Sequence, residues 1–195
     1  MKNESLSKER RDFFSKMFIA GTGSLGLLSL SGCNDSNTTA TNDTTLLMTD
    51  EQKATLLYMY QEEKVARDVY IHLGDRYPDE NTFAYIQLSE QRHMDVVEEL
   101  CIKYNVDISA VDEDAFGVFI LPELQALYDQ LIVDGAASLL AALQVGVLIE
   151  ETDITDLEEA AVGMPSDVVI VFENIKEGSI NHLEAFNYSI SQLPA

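Results

Sequence analysis

"SEQRHMDVVEEL", residues 89–100, decides the architecture, because it reads as a helix and yet carries two groups on its inward stripe that an apolar interior rejects. At 3.6 residues per turn, Ile86, Glu90, His93 and Val97 share one face, so an acid and an imidazole one turn apart lie between apolar neighbours. At that spacing the two side chains can bind one metal ion or two adjacent ions. The plain alternative is a solvated edge of a very acidic chain, with 34 acidic against 12 basic residues and a formal net charge of −22. What the other helices bring to the same face decides between the two.

The rest of the chain is helical in pattern, and no run of alternating β-branched residues argues for a sheet. Thr49 and Gln52 form a capping box that opens a first helix running to about residue 72 or 73. A second helix follows the polar cluster "PDENT" and carries Phe83, Ile86, His93, Val97 and Leu100 at spacings of three or four, ending near Asn105. Residues 106–121 read as a connection, and Pro122 suits the first turn of a short helix, "PELQALYDQLI", that stops before Gly135. A third long helix is expected over 136–161, with a bend near Thr152, and Pro165 and Ser166 open a fourth that reaches about Ser191. Four long amphipathic helices, with a short one inside a long middle connection, predict an all-α fold: a ferritin-like four-helix bundle with a crossover.

Every long helix then offers a metal-binding group from its apolar stripe. The first places Glu63 among Leu56, Met59, Tyr60, Ala66 and Tyr70; Glu62 lies beside it on a face with Val65, Ala66 and Val69, and phase alone leaves both acids open. The third puts Glu150 and Glu151 between Val147 and Ile154, again both open, and the fourth embeds His182 among Phe172, Ile175, Ser179 and Phe186. Unpaired buried carboxylates cost several kcal/mol each, and a dinuclear cation site removes that cost. The third histidine, His72, is out of phase with Glu63 and is expected to be exposed. Cys101 keeps register with Val97 and Tyr104 and reads as a small buried hydrophobe.

The amino terminus is read separately, as residues 1–32 have the marks of an export signal. Arg10 and Arg11, followed by Phe13, Phe14 and Lys16, resemble the twin-arginine pattern; the apolar run from Met17 to Leu30 is too short for a confident membrane span. "LSGC" at 30–33 is similar to a lipobox, which makes Cys33 the expected lipidation site and tethers the chain to a membrane. Residues 33–45 form a polar, flexible tether, and the folded domain is expected over 46–195. Removing the five basic and three acidic residues of 1–32 from totals of 12 and 34 leaves 7 and 31, so the mature surface repels nucleic acid and anionic lipid headgroups.

"EEKVARDVY" (62–70), "SEQRHMD" (89–95), "VGVLIEETDITDLEEA" (145–160) and "GSINHLEAF" (178–186) together resemble the ferritin-like family known as domain of unknown function 2202, across essentially all of residues 46–192. Glu63, Ala66, Arg67 and Tyr70 are also similar to the E-x-x-A-R-x-x-Y pattern of rubrerythrins, which selects Glu63 over Glu62, and Glu90 with His93 matches their E-x-x-H. The resemblance implies a terminal carboxylate, a bridging carboxylate and a nitrogen ligand of a di-iron centre. The second E-x-x-H is incomplete, since Ser179 stands three residues before His182; Glu150 or Glu151, with Asp153 one turn from Glu150, is the replacement on offer.

The function expected is therefore that of a membrane-tethered metalloprotein holding two iron or manganese ions through Glu63, Glu90, His93, Glu150 or Glu151, and His182. It would act on peroxide, dioxygen or ferrous ion. With no CxxC pair, electrons would come from a separate protein donor, and a homodimer is compatible with such a bundle. Twin-arginine export carries folded proteins and leaves the lipoprotein facing the periplasm or the cell exterior. The alternatives are a non-catalytic lipoprotein that binds a cation or a partner on the same bundle, and a metal-free scaffold with Glu90, His93 and His182 joined by hydrogen bonds.

Overall fold

The computed structural model describes residues 48–194. The expected signal with Arg10 and Arg11, the lipidation site Cys33 and the tether to residue 45 lie outside the described residues. Within them the chain forms five helices and no strand: α1 (Asp50–Arg76), α2 (Asn81–Lys103), α3 (Pro122–Gly135), α4 (Leu139–Ala160) and α5 (Ser166–Gln192). None is long and apolar enough to cross a membrane.

The helix starts follow the capping groups. Thr49 and Gln52 close a reciprocal capping box at α1. Asn81 begins α2 inside the polar cluster because the Glu80 side chain accepts from the Thr82 amide. Likewise α4 begins at Leu139, three residues later than its apolar pattern suggests, because the Ser138 hydroxyl takes the Ala141 amide. Helix α4 runs unbroken through Thr152, whose hydroxyl donates to the Leu148 carbonyl.

Side-chain contacts fix the directions. Gly74 meets Phe83, and Leu56 meets Cys101, so α1 and α2 are an antiparallel pair. Gly146 meets Phe186, and Asp153 meets Ser179, so α4 and α5 form a second one. The pairs face each other: α2 lies antiparallel to α5 through Thr82 with Ser189 and Tyr104 with Asp167, and α1 touches α4 through Tyr70 and Glu150. Since α2 and α4 then run the same way, the connection between them must return along the length of the molecule.

What holds that connection corrects the reading of α1 as an amphipathic helix. From Met59 to Tyr70 every residue of α1 is buried, charged ones included. Gln61, Lys64 and Asp68, on the side away from the apolar stripe, and Arg67, one turn on from Glu63, bind the backbone of the crossover. The Gln61 side-chain oxygen takes the amide of Ile120 at 2.9 Å, Lys64 donates to Ala115 O at 2.9 Å, Arg67 to Glu113 O at 2.8 Å, and Asp68 takes the Gly117 amide at 2.9 Å. Lys64 and Asp68 pair at 2.7 Å with no side-chain exposure, and Lys64 also lies over the Phe119 ring. A buried charge survives when its hydrogen-bonding capacity is filled, and here an irregular segment fills it.

Two apolar layers bracket the middle of the paired helices. At one end Tyr70, Phe83 and Phe186 meet ring against ring. At the other Leu56, Met59, Met94, Val97, Cys101, Phe172 and Ile175 pack as one buried cluster. Glu63, Glu90, His93, Glu150, Asp153, Ser179 and His182 occupy the buried interval between them on their respective helices.

Candidate metal centre

Two sets of ligating atoms converge in that interval. Glu63, Glu90 and His93 bring one ligand atom each within 4.8 Å of one another, and so do Glu90, Glu150 and His182. Glu90 belongs to both. The two histidines lie side by side with ring centroids 5.4 Å apart and planes inclined by 27°. His93 Nδ1 is 3.0 Å from Glu90 Oε2 and 3.3 Å from Glu63 Oε2; His182 Nδ1 is 2.7 Å from Glu90 Oε1 and 3.5 Å from Glu150 Oε2.

Short as the His182–Glu90 distance is, the two atoms are off the line of a hydrogen bond, and both are buried without a hydrogen-bonding partner. Glu63 Oε1 and Asp153 Oδ1 are buried and unpartnered as well. Buried polar atoms in folded proteins are nearly always satisfied, so four orphans within one small cluster mark a place where something besides protein supplies the missing contacts. Nearly all are lone pairs on oxygen or nitrogen, the complement of a cation. The charge agrees: ionised Glu63, Glu90, Glu150 and Asp153 together match two divalent cations, with the imidazoles neutral.

Without a cation the same groups must keep protons. Burial is the largest influence on Glu63 and Glu150, and with the nearby Glu90 charge it pushes each up to about 7 in spite of the histidines. Burial also carries Asp153 well above the usual carboxylate range, helped by Glu63, Glu150 and Glu90. Glu90 goes the other way: the close imidazoles of His182 and His93 together outweigh its burial and hold it at about 2. The imidazoles respond in kind, their burial overcome by the facing carboxylates, with His93 pushed up to about 11 and His182 to about 9.

Neighbouring side chains orient these groups. Tyr70 donates to Glu150 Oε1, and Ser179 donates to Asp153 Oδ2 at 2.6 Å. Gly178 on α5 leaves room for the His93 ring: a Cβ there would stand 2.7 Å from His93 Nε2.

The structure brings together Glu63, Glu90, His93, Glu150 and His182. It leaves out Glu151, which is exposed, because one step along α4 rotates a side chain by 100° and carries it from the interior to solvent. His72 is exposed and Cys101 is buried. Asp153, offered in the sequence only as a companion to Glu150, is an unpartnered carboxylate of the cluster, and Ser179 is its hydrogen-bond donor. The burial of Glu62 had no distinguishing signal, since a helix enclosed on all sides has no outer phase to separate it from Glu63.

Comparison with known proteins gives the chain a family and a relative of known structure. Residues 52–193 match the model of an uncharacterized protein domain, DUF2202. The chain is 40% identical over 153 residues to the uncharacterized protein MJ0754 of Methanocaldococcus jannaschii, covering 75% of this chain and 82% of that protein. The crystal structure of hypothetical protein MJ0754 from the same organism superposes with a TM-score of 0.70 at 35% identity, over 83% of this chain and 86% of that one. A family match over most of the chain, a relative of this identity and a shared all-helical fold agree, and the chain belongs to the DUF2202 family.

Proposed function

We propose that this protein is a ferritin-like four-helix metalloprotein with a dinuclear iron or manganese centre, exported and lipid-anchored through Cys33, which carries out redox chemistry on peroxide, dioxygen or ferrous ion. One observation carries the reading: Glu90 is common to two separate histidine-containing ligand sets, in a buried cluster whose oxygen and nitrogen atoms lack partners. A carboxylate shared in this way is what a bridged pair of ions requires. When bound, such a pair supplies reversible one-electron chemistry to a small oxidant.

The protein's own part is geometric and electrostatic. Glu90 would be shared by the two ions, Glu63 and Glu150 would each hold one of them, and His93 and His182 would each supply a nitrogen ligand. Asp153 adds the fourth negative charge, which answers the absence of a second E-x-x-H acid at Ser179. Tyr70 and Ser179 hold Glu150 and Asp153 in place, and the aromatic layer of Tyr70, Phe83 and Phe186 keeps bulk water out on one side. Electrons would arrive from a separate protein, and a second copy of the chain in a homodimer is part of the same reading.

Metal analysis of the chain purified from its native export route tests the proposal. The expected content is about two iron or manganese ions per chain, falling at least ~10-fold in affinity in Glu90→Ala. Metal content below one ion per chain and unaffected by Glu90→Ala refutes it. Peroxide consumption with a chemical reductant, no faster than that of free metal ion, reduces the function to cation binding.

A further inference from the structure

The two imidazoles are the part of the centre that comes nearest the surface. The His93 and His182 side chains are 11 % and 10 % exposed, against no more than 2 % for Glu63, Glu90 and Glu150. Both rings turn Nδ1 towards those acids. Among the described residues no hydrogen bond reaches the Nε2 of either ring. Elsewhere the centre is covered: Tyr70, Phe83 and Phe186 fill one end, Met94 and Val97 the other, and α1 is buried along its length from Met59 to Tyr70.

Helix register places this exposed edge. Antiparallel α2 and α5 meet at Thr82 with Ser189 and at Tyr104 with Asp167, which sets His93 midway, opposite Gly178. A Cβ on Gly178 would stand 2.7 Å from His93 Nε2, so glycine alone lets the ring edge lie against the α5 backbone, and no side chain from that position covers it. The surface around it is acidic. Glu173, Glu177 and Glu184, spaced by four and seven, share the outer side of α5, and exposed Glu99 faces the one cation Arg92 allows on the outer side of α2. Of these four acids only Glu173 forms an ion pair, with Lys176. Tyr85 and Tyr188 expose their rings on the same outward side.

We propose that this face is the docking site of a one-electron carrier protein with a basic surface, which meets the Glu177 and Glu184 carboxylates and sets its redox group over Gly178, against the edge of the His93 ring. The inference rests on the dinuclear reading above and adds the kind of partner and its point of contact. Each encounter oxidises the carrier by one electron and passes that electron inward across the imidazole. Two encounters, with two protons from water, convert one peroxide to two waters. Contacts of this kind are small and short-lived, and charge steers them.

Two measurements on the full chain test it. Hexaamminechromium(III), a paramagnetic cation with no free coordination position, is titrated into the metal-free chain while backbone amides are followed by NMR. Broadening is expected around residues 88–93 and 173–184, and it is lost in the double variant Glu177→Gln with Glu184→Gln. In the metal-loaded chain, reduction by hexaammineruthenium(II) at low salt is expected to slow about 10-fold when Glu177→Lys and Glu184→Lys are combined. Glu151→Lys with Glu159→Lys, an equal change of net charge at exposed positions of α4, should alter that rate by less than about twofold. Metal per chain, equal in all variants, shows that the centre is intact. Broadening spread evenly over the acidic surface, or equal slowing in the two lysine variants, overturns the docking site. A wild-type chain that retains no metal instead marks failure of the dinuclear reading, and the docking site falls with it.

Discussion

At the scale of single residues, the centre turns on one step of helix phase. Glu150 and Glu151 are chemically identical neighbours, but the first is 1 % exposed beside His182 and Tyr70, and the second is in solvent. Glu150→Gln should therefore remove one of the two ions, measured as metal per chain after gel filtration, while Glu151→Gln retains both. Equal losses in the two variants would contradict the placement. The sequence left this pair open for a physical reason: flanking Val147 and Ile154 define an apolar arc wide enough to hold either acid. Glu90, His93 and His182 were readable because each is a polar group centred in a narrow apolar stripe with no competitor next to it. Asp153 was obscured by belonging to a strongly acidic stretch, in which one buried carboxylate looks like its exposed neighbours.

At the scale of elements, α1 bears two loads at once. Its inward side supplies Glu63 and Tyr70 to the centre, while Gln61, Lys64 and Asp68 on its opposite side, with Arg67 one turn on from Glu63, secure the crossover. Replacing Lys64 by Met leaves Asp68 buried with Arg67 as its remaining ion-pair partner and frees the Ala115 carbonyl, a loss of about 3–5 kcal/mol by analogy with other broken buried pairs. Urea unfolding measures that loss, and proteolysis of the folded variant should begin within residues 106–121. A change below ~1 kcal/mol would mean that the connection is held by its apolar contacts instead. Helix positions were legible from caps and prolines, as Thr49, Pro122 and Pro165 show. The enclosure of α1 was not, because the groups that bury its polar side are backbone atoms of a segment with no periodic pattern.

At the scale of the whole molecule, the metal-free protein should respond to pH in a direction set by the centre. Glu63 and Glu150 are raised from the ordinary 4.5 to about 7, so the stability they contribute is fully present below about 4.5 and is lost as pH rises through 7. His93 and His182, raised from 6.5, contribute stability below that value and lose it as pH climbs through 9 and 11. Glu90, lowered to about 2, opposes them only in strong acid, where its contribution disappears as pH falls through 2. Thermal melting of the metal-free chain should accordingly weaken steadily from pH 5 to pH 9. Bound Mn²⁺ should reverse the trend, because deprotonation then frees ligands. A melting temperature flat across this range in the metal-free chain would show that the buried cluster does not retain protons in this way.

The division of ligands between the helix pairs has a further consequence for how the molecule closes. Glu63, Glu90 and His93 all come from the first pair, so that pair alone can grasp one ion before its counterpart has docked. The remaining set draws Glu90 from the first pair and Glu150 with His182 from the second, so an ion held there would act as a clasp between halves. Chelation would then do more than empty a pocket: it would unlatch the protein along its length, and maturation would proceed in two stages, one half primed and then the whole locked.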